Sequence, residues 1–219
     1  IILARDPFGI RPLYYSEING VFYFASQAKS LLQIENIDNE TSKKAIINYF
    51  LWGNINEPDT IYENIKVLKR GSYLIINSEG SKNFHEFVNL KEEILKNEFK
   101  FFKKDADAAD YLKEILIETV KYHQVSDVPV SYLLSSGIDS TTILNNVNET
   151  SNSSALTVDF NQINESNIAI KIAKEKKIPH KIKKFNTNNA KELIETFFQK
   201  MDNPTNDGFN NFIISKLAN

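Results

Sequence analysis

A short run of small and hydroxylated residues, Ser135-Ser136-Gly137-Ile138-Asp139-Ser140, constrains this chain more than any other stretch, because of its flanks. Upstream, Val128-Pro129-Val130-Ser131-Tyr132-Leu133-Leu134 carries the β-branched and apolar residues of a buried strand. Downstream, Thr141-Thr142-Ile143-Leu144-Asn145-Asn146-Val147 reads as the first turns of a helix. A small-residue loop between a strand and a helix N-terminus gathers backbone N–H groups and hydroxyls at the positive end of the helix dipole, which is an anion site. Asp139 adds a carboxylate there. A bare carboxylate repels phosphate, so its expected role is to hold Mg²⁺ bridging to the phosphate oxygens. Taken alone, the same residues also describe a plain strand-to-helix turn with Ser as cap. No Gly-Lys-Ser or Gly-Lys-Thr follows, so the loop is not of the Walker type.

The surrounding pattern places the loop. From Asp105 onward, helical and extended segments alternate: a helix over Asp107–His123 capped by Asp107, with Ala108, Leu112, Ile115, Leu116 and Thr119 on one face; the strand ending at Leu134; a strand over Ala155–Phe160. A helix over Glu165–Lys176 with Ile168, Ile172 and Ala173 inward, a strand over Ile178–Phe185, and an amphipathic helix over Ala190–Met201 complete the run. Such alternation predicts a parallel sheet with right-handed crossovers, and ligands in these sheets sit at the carboxyl ends of the strands. The earlier part, to about Val88, reads instead as antiparallel strands (Ile1–Arg5, Leu13–Ser16, Val21–Ala25, Ser72–Asn77) with helices over Ser26–Gln33 and Lys43–Trp52. Asn19-Gly20 between two of those strands is a hairpin-turn signal. Residues 89–104 read as a charged linker or peripheral helix.

Bulk properties narrow the class. The chain has 219 residues, 42% hydrophobic and 25% charged, with a formal net charge of −2, which fits one large or two small globular domains. The near-neutral balance gives no footprint for nucleic acid. No apolar run reaches the roughly 18 residues of a membrane span, so no membrane partner is expected and a cytoplasmic location is the default. Cysteine is absent, which removes disulfides, thiolate zinc ligands and a cysteine nucleophile from this stretch. The chain opens on Ile1 within a strand-like run and closes at Asn219 within a helical one, so a piece of a longer protein is expected.

Four stretches, in this order, carry a resemblance. Leu3-Ala4-Arg5-Asp6-Pro7-Phe8-Gly9-Ile10-Arg11-Pro12-Leu13-Tyr14-Tyr15 and Phe24-Ala25-Ser26-Gln27-Ala28-Lys29-Ser30-Leu31-Leu32 resemble late segments of an N-terminal-nucleophile (Ntn) glutaminase domain. Ser126-Asp127-Val128-Pro129-Val130 with the Ser135–Ser140 loop resembles the opening of an ATP-pyrophosphatase domain, whose PP-loop is normally Ser-Gly-Gly-x-Asp-Ser. Asp202-Asn203-Pro204, Asp207-Gly208 and Asn210 are similar to a later segment lining the same cleft. Together they resemble the glutamine-hydrolysing asparagine synthetases across essentially the whole chain. The resemblance implies three segments: residues 1–88 as the C-terminal part of a type 2 glutamine amidotransferase domain, 89–104 as linker, and 105–219 as the N-terminal part of a Rossmann-like parallel α/β synthetase domain.

What the resemblance further implies is a carbon–nitrogen ligase. Glutamine is hydrolysed in one domain, and ammonia passes to the other, where ATP adenylates the side-chain carboxylate of aspartate with release of pyrophosphate. Ammonia then displaces AMP to give asparagine. Carried over by position, Leu134 contacts the nucleotide, Ser135, Ser136, Gly137 and Ser140 hold the pyrophosphate portion together with Ile138 of the loop, Asp139 binds Mg²⁺, and Val158 is the adenine-side contact. Asp207 reads first as a helix cap and second as a contact to the substrate amino group. The implied partners are small molecules (ATP, aspartate, glutamine), with a homodimer as an option. The nucleophilic Cys is expected upstream of Ile1 and a second phosphate loop beyond Asn219, so this stretch alone is expected to be inactive.

Two positions depart from the family pattern: Gln27 stands where Glu is usual, and Ser136 where Gly is usual. A positive φ at Ser136 would cost about 1 kcal/mol; tolerance without strain is the favoured reading. Arg5 and Asp6 are expected to pin strands, His123 to pack at its helix end, and Trp52 and the Phe residues to form core. Competing functions are a relative amidating sugar carboxylates or peptide and β-lactam precursors, a sulfurtransferase or tRNA-modifying ATP-pyrophosphatase, and a non-catalytic remnant. The second would predict basic stretches or CxxC pairs, which the chain lacks.

Overall fold

A computed structural model describes residues 1–96, 101–147, 153–159, 165–185 and 190–218. The chain divides into two compact units, one of residues 1–99 with 200–206 and one of residues 100–199 with 207–219. Both mix helices with small sheets, so the chain is mixed α/β.

The first unit holds β1 (Ile2–Arg5), β2 (Tyr14–Ile18), β3 (Val21–Ala25), α1 (Ala28–Leu31), α2 (Lys43–Trp52), β4 (Lys66–Val67), β5 (Ser72–Ile76), β6 (Lys82–Glu86) and α3 (Leu90–Lys96). They form two antiparallel three-stranded sheets, β1-β5-β6 and β3-β2-β4. Asn19 and Gly20 both take positive φ (53° and 75°), the twist a two-residue hairpin needs, and Ile18 pairs with Val21 across them. Leu3, Leu68, Leu74 and Ile76 bury one core. Tyr14, Ala28, Leu31, Ile37, Ile65 and Val67 bury the other.

The Arg5–Arg11 stretch organises itself. The Asp6 carboxylate accepts from the N–H groups of Phe8, Ile10 and Arg11. These bonds, led by that of Arg11, hold its pKa below the usual carboxylate value. The buried Arg5 guanidinium donates to the carbonyls of Gly9, Arg11 and Leu68 and to Glu57 at 2.8 Å. Gly9 sits at φ +69°, and a Cβ there would lie 2.7 Å from Arg5 Nη2, so the turn and the guanidinium need a glycine. Arg5 and Asp6 are therefore structural.

The second unit holds α4 (Asp105–His123), β7 (Val130–Leu133), α5 (Ile138–Asn145), β8 (Ser153–Asp159), α6 (Glu165–Glu175), β9 (His180–Lys184), α7 (Ala190–Lys200) and α8 (Gly208–Ala218). Its sheet is parallel throughout, in the order β7-β8-β9. Val120, Leu134, Leu144, Val147, Ala155, Ala169, Ala173 and Ile178 form its core. The ring of Phe197 packs against those of Phe209 and Phe212 at 5.5 and 5.8 Å between centroids.

Several expectations are corrected. Lys104 is the extended residue preceding α4, so Asp107 lies inside the first turn, where it complements the dipole rather than capping. The buried stripe of α4 runs through Val120, while Leu112, Ile115 and Thr119 are exposed. On α6 the fully buried residues are Ala169 and Ala173, and Ile168 is about half exposed. Small residues sit where the helix approaches the sheet closely. Trp52 and Phe50 are 70% and 83% exposed, not core. Helix α2 is apolar almost all round from Ala45 to Trp52, and a helix packing one stripe leaves the rest outside. Strands β4 and β6 escaped the sequence reading, since two residues and an edge strand with mostly exposed side chains carry no period. Part of the linker, Leu90–Lys96, is an exposed helix; residues 97–100 and Phe160, at the end of an expected strand, lie outside the described residues.

Candidate functional site

Helix α5 begins where β7 ends, and the six-residue loop joins them. Gly137 occupies the position before the helix with φ −69° and ψ 148°, an ordinary extended conformation. Ser136 also avoids positive φ: among the described non-glycine residues only Asn19 and Lys177 adopt it. The Ser-for-Gly departure therefore carries no backbone strain here.

Ser140 ties the loop together. Its Oγ accepts from the Ser135 N–H at 3.2 Å and lies 2.9 Å from Ser135 Oγ. It also contacts the carbonyls of Ser135 and Gly137 at 3.4 and 3.2 Å. Ser135 Oγ in turn accepts from the Gly137 N–H at 3.1 Å. The N–H groups of Ser136, Ile138, Asp139 and Ser140 donate to no acceptor among the described residues. First-turn helix N–H groups lack intrahelical partners, and three of them (Ile138, Asp139 and Ser140) with the loop N–H of Ser136 form a donor set for an anion. Asp139 is exposed in that first turn.

A cleft of about 340 Å³ opens beside the loop. Leu133, Leu134, Ser135 and Ser140 line it from the β7 end, Leu156, Thr157 and Val158 from β8, and Asp207, Asn210, Asn211 and Ile214 from the start of α8. Leu134, Ser135, Ser140, Val158 and Asp207 were all singled out from the sequence, and one cleft brings them together. Ser136, Gly137, Ile138 and Asp139 stand on the loop but not on the cleft wall, and Ile138 is 80% exposed. Asp207 immediately precedes α8, and its Oδ1 accepts from Asn210 Nδ2 at 2.7 Å. It occupies the position before the helix and also lines the cleft.

One segment is placed elsewhere. Asp202 and Asn203 belong to the first unit, where Asp202 accepts from the Lys29 N–H and Asn203 bonds the Ile61 N–H and the Tyr14 hydroxyl. They do not line the cleft. The short gap between Asn203 and Asp207 hid this, because proximity in sequence does not fix which body a residue joins.

Sequence reasoning also passed over Thr157 and His180. Thr157, 3% exposed, donates from Oγ1 to the Leu134 carbonyl at 2.7 Å and lies 2.8 Å from His180 Nε2. Burial lowers the pKa of His180. A polar residue in the apolar run of a central strand was the available signal, since buried hydroxyls need partners.

Residues 1–88 match the glutamine amidotransferase domain family, and residues 111–219 match the asparagine synthase family. The chain belongs to the glutamine-hydrolysing asparagine synthetase family. Asparagine synthetase [glutamine-hydrolyzing] 1 of Bacillus subtilis (strain 168) is 38% identical over 142 residues, covering 64% of this chain and 21% of that protein. A putative asparagine synthetase [glutamine-hydrolyzing] 2 of Methanocaldococcus jannaschii is 29% identical over 232 residues, covering 100% of this chain and 43% of that protein. Asparagine synthetase [glutamine-hydrolyzing] 2 of Bacillus subtilis is 31% identical over 149 residues, covering 65% of this chain and 20% of that protein. The chain thus spans less than half the length of these curated relatives. Among the described residues, no helix is long and apolar enough to cross a membrane.

Proposed function

We propose that the protein containing this chain is an ATP-dependent, glutamine-fed asparagine synthase, and that residues 105–219 contribute to its ATP site. The observation that carries this reading is the loop at the carboxyl end of β7. Among the described residues it offers four unclaimed N–H donors and three serine hydroxyls, and it adjoins a cleft lined by Ser135, Ser140, Val158 and Asp207. Positioned N–H and hydroxyl donors stabilise charge that develops on a departing pyrophosphate. Leu134, Val158 and the apolar wall of Leu156 and Ile214 suit a nucleotide base, and Ser135, Ser136, Gly137, Ile138 and Ser140 suit its phosphates.

Mg²⁺ fits a single-carboxylate role. Among the described residues no group of three or more His, Cys, Asp or Glu could cage a metal, whereas Mg²⁺ commonly uses one or two carboxylates with substrate phosphates. Asp139 is the carboxylate on the loop. Bound there, the ion would neutralise phosphate charge.

In the proposed reaction a side-chain carboxylate oxygen of aspartate attacks the α-phosphorus of ATP, and the bond to pyrophosphate breaks. Ammonia then attacks the acyl carbon, and AMP leaves. Asp207 suits the ammonium group of the aspartate. In finer terms, residues 1–88 correspond to the late part of an Ntn-type glutaminase, 89–104 to a linker and 105–219 to a Rossmann-like PP-loop fold. Glutamine, aspartate and ATP are the substrates.

The test is ATP–pyrophosphate exchange in the complete protein. Asp139→Asn is expected to abolish it, and unchanged exchange would remove Asp139 from the metal role. Loss of asparagine-independent growth on deletion would identify aspartate as the acceptor, whereas unaffected growth would point to another carboxylate.

A further inference from the structure

Thr157 has one hydroxyl proton and two polar neighbours, the Leu134 carbonyl at 2.7 Å and His180 Nε2 at 2.8 Å. A carbonyl only accepts. Once the hydroxyl donates to it, the contact with the ring requires a proton on Nε2, donated to Thr157 Oγ1. The chain of donors then runs in one direction: His180 Nε2–H to Thr157, Thr157 to Leu134. Among the described residues, Thr157 is the donor that serves this carbonyl.

The Leu134 carbonyl shares a peptide plane with the N–H of Ser135. That N–H donates to Ser140 Oγ at 3.2 Å. One rigid peptide unit at the root of the loop is thus held on its oxygen side by Thr157 and on its nitrogen side by Ser140. The register makes the reach across the sheet feasible. His180 pairs with Ala155 and Thr157 with Ile182, so His180 and Thr157 are diagonal neighbours on adjacent strands. The relay therefore crosses from β9 through β8 to the last residue before the loop.

We propose that His180 is a positioning residue for the nucleotide loop: by donating to Thr157 it fixes the direction of the Thr157 hydroxyl, and through it the Leu134–Ser135 peptide that sets the loop's donors. It is not among the residues lining the cleft and acts through Thr157, which is. With the opposite ring tautomer the Thr157 proton would turn to Nε2, leaving the Leu134 carbonyl without that donor in a buried position, which is unfavourable. The lowered pKa caused by burial agrees with a neutral ring at neutral pH. This inference deepens the nucleotide reading of the same cleft.

The test has one arm that needs no nucleotide. In the complete protein, nitrogen-detected NMR of the imidazole should show the Nε2–H tautomer, and the Ser135 amide resonance should shift in His180→Phe but return towards the parent in His180→Gln, whose amide can still donate. The opposite tautomer, or an unmoved Ser135 amide, overturns the proposal. In the second arm, His180→Phe and Thr157→Val should each raise the ATP KM about three- to tenfold, and the double variant should be no worse than Thr157→Val alone. Additive losses, or a lowered Tm with unchanged ATP KM, would reduce His180 to a packing residue. A parent protein that does not bind ATP would sink the nucleotide reading while the NMR arm still decides the relay.

Discussion

In the first unit, Arg5, Glu57 and Arg70 form one ionic network, and Lys44, Asp59 and Lys66 form another. In the second unit the salt bridge among the described residues is Lys191–Glu195, an exposed pair one helical turn apart at 4.0 Å. Polar groups of the second unit gather instead at the carboxyl ends of the parallel strands, where Ser135, Ser140 and Thr157 bond one another's neighbours around the loop. Charged side chains tie distant segments of the antiparallel unit into place, whereas uncharged hydroxyls shape a surface that leaves donors over. The difference teaches that polar contacts can serve cohesion in one body and availability in the other.

The largest expected effect tests cohesion. Arg5→Met removes four hydrogen bonds and leaves Glu57 with Arg70 alone, so the first unit should lose about 3 kcal/mol. Hydrogen exchange read peptide by peptide would check it; protection unchanged across β1 and β5 would break the contrast. Next comes Ser140→Ala, which strips the loop of its tie. Affinity for pyrophosphate should fall about tenfold while unfolding free energy changes by no more than about 1 kcal/mol. A large loss of stability with intact affinity would make Ser140 a cohesive residue like those of the first unit.

Acid should separate the units. Burial alone would raise the Glu57 pKa, but the backbone and side-chain hydrogen bonds of Arg70 and the charges of Arg5 and Arg70 lower it below 4.5. The Lys44 hydrogen bond leads the causes that lower Asp59 below 3.8. Carboxylates with depressed folded values contribute stability above their unfolded pKa, and lose it as pH falls through the folded pKa. The first unit should therefore hold until pH drops below 4.5. His180, depressed below 6.5 by burial, works in a different window: an unfolded chain protonates it first, so the second unit should begin to weaken as pH falls below 6.5. Its ring is only partly buried, so that loss should be small. Hydrogen exchange across a pH series would check the order, and simultaneous loss in both units would contradict it. The smallest effect sharpens the contrast: Lys191→Ala should change stability by less than about 0.5 kcal/mol in a denaturation midpoint, since exposed pairs contribute little.

How far the sequence was legible depended on how local the cause was. The Asn19-Gly20 turn, the strand-to-helix loop and the alternation after Asp105 are consequences of residues within a few positions of each other, and the structure repeats them. The burial phase of α4 and α6 was misjudged because a helix turns its stripe towards whatever packs on it. Alanines at 169 and 173, rather than the larger Ile168, sit against the sheet. Trp52 looked like core by type, yet a helix with more apolar surface than one stripe can bury leaves some outside.

The sequence by itself determined that an anion-suited loop follows a strand, because small side chains, hydroxyls and a helix start are written within six consecutive residues; that the strand is only half-buried, with Leu133 48% exposed, was not legible there. The family resemblance added Val158 and Asp207. Only the tertiary structure decided that these meet the loop at one cleft, that Asp202 and Asn203 join the other unit, and that His180 reaches Leu134 through Thr157. Strand register and the path of the chain between bodies set those meetings. Both arise from packing over the whole unit, which no local run of residues encodes.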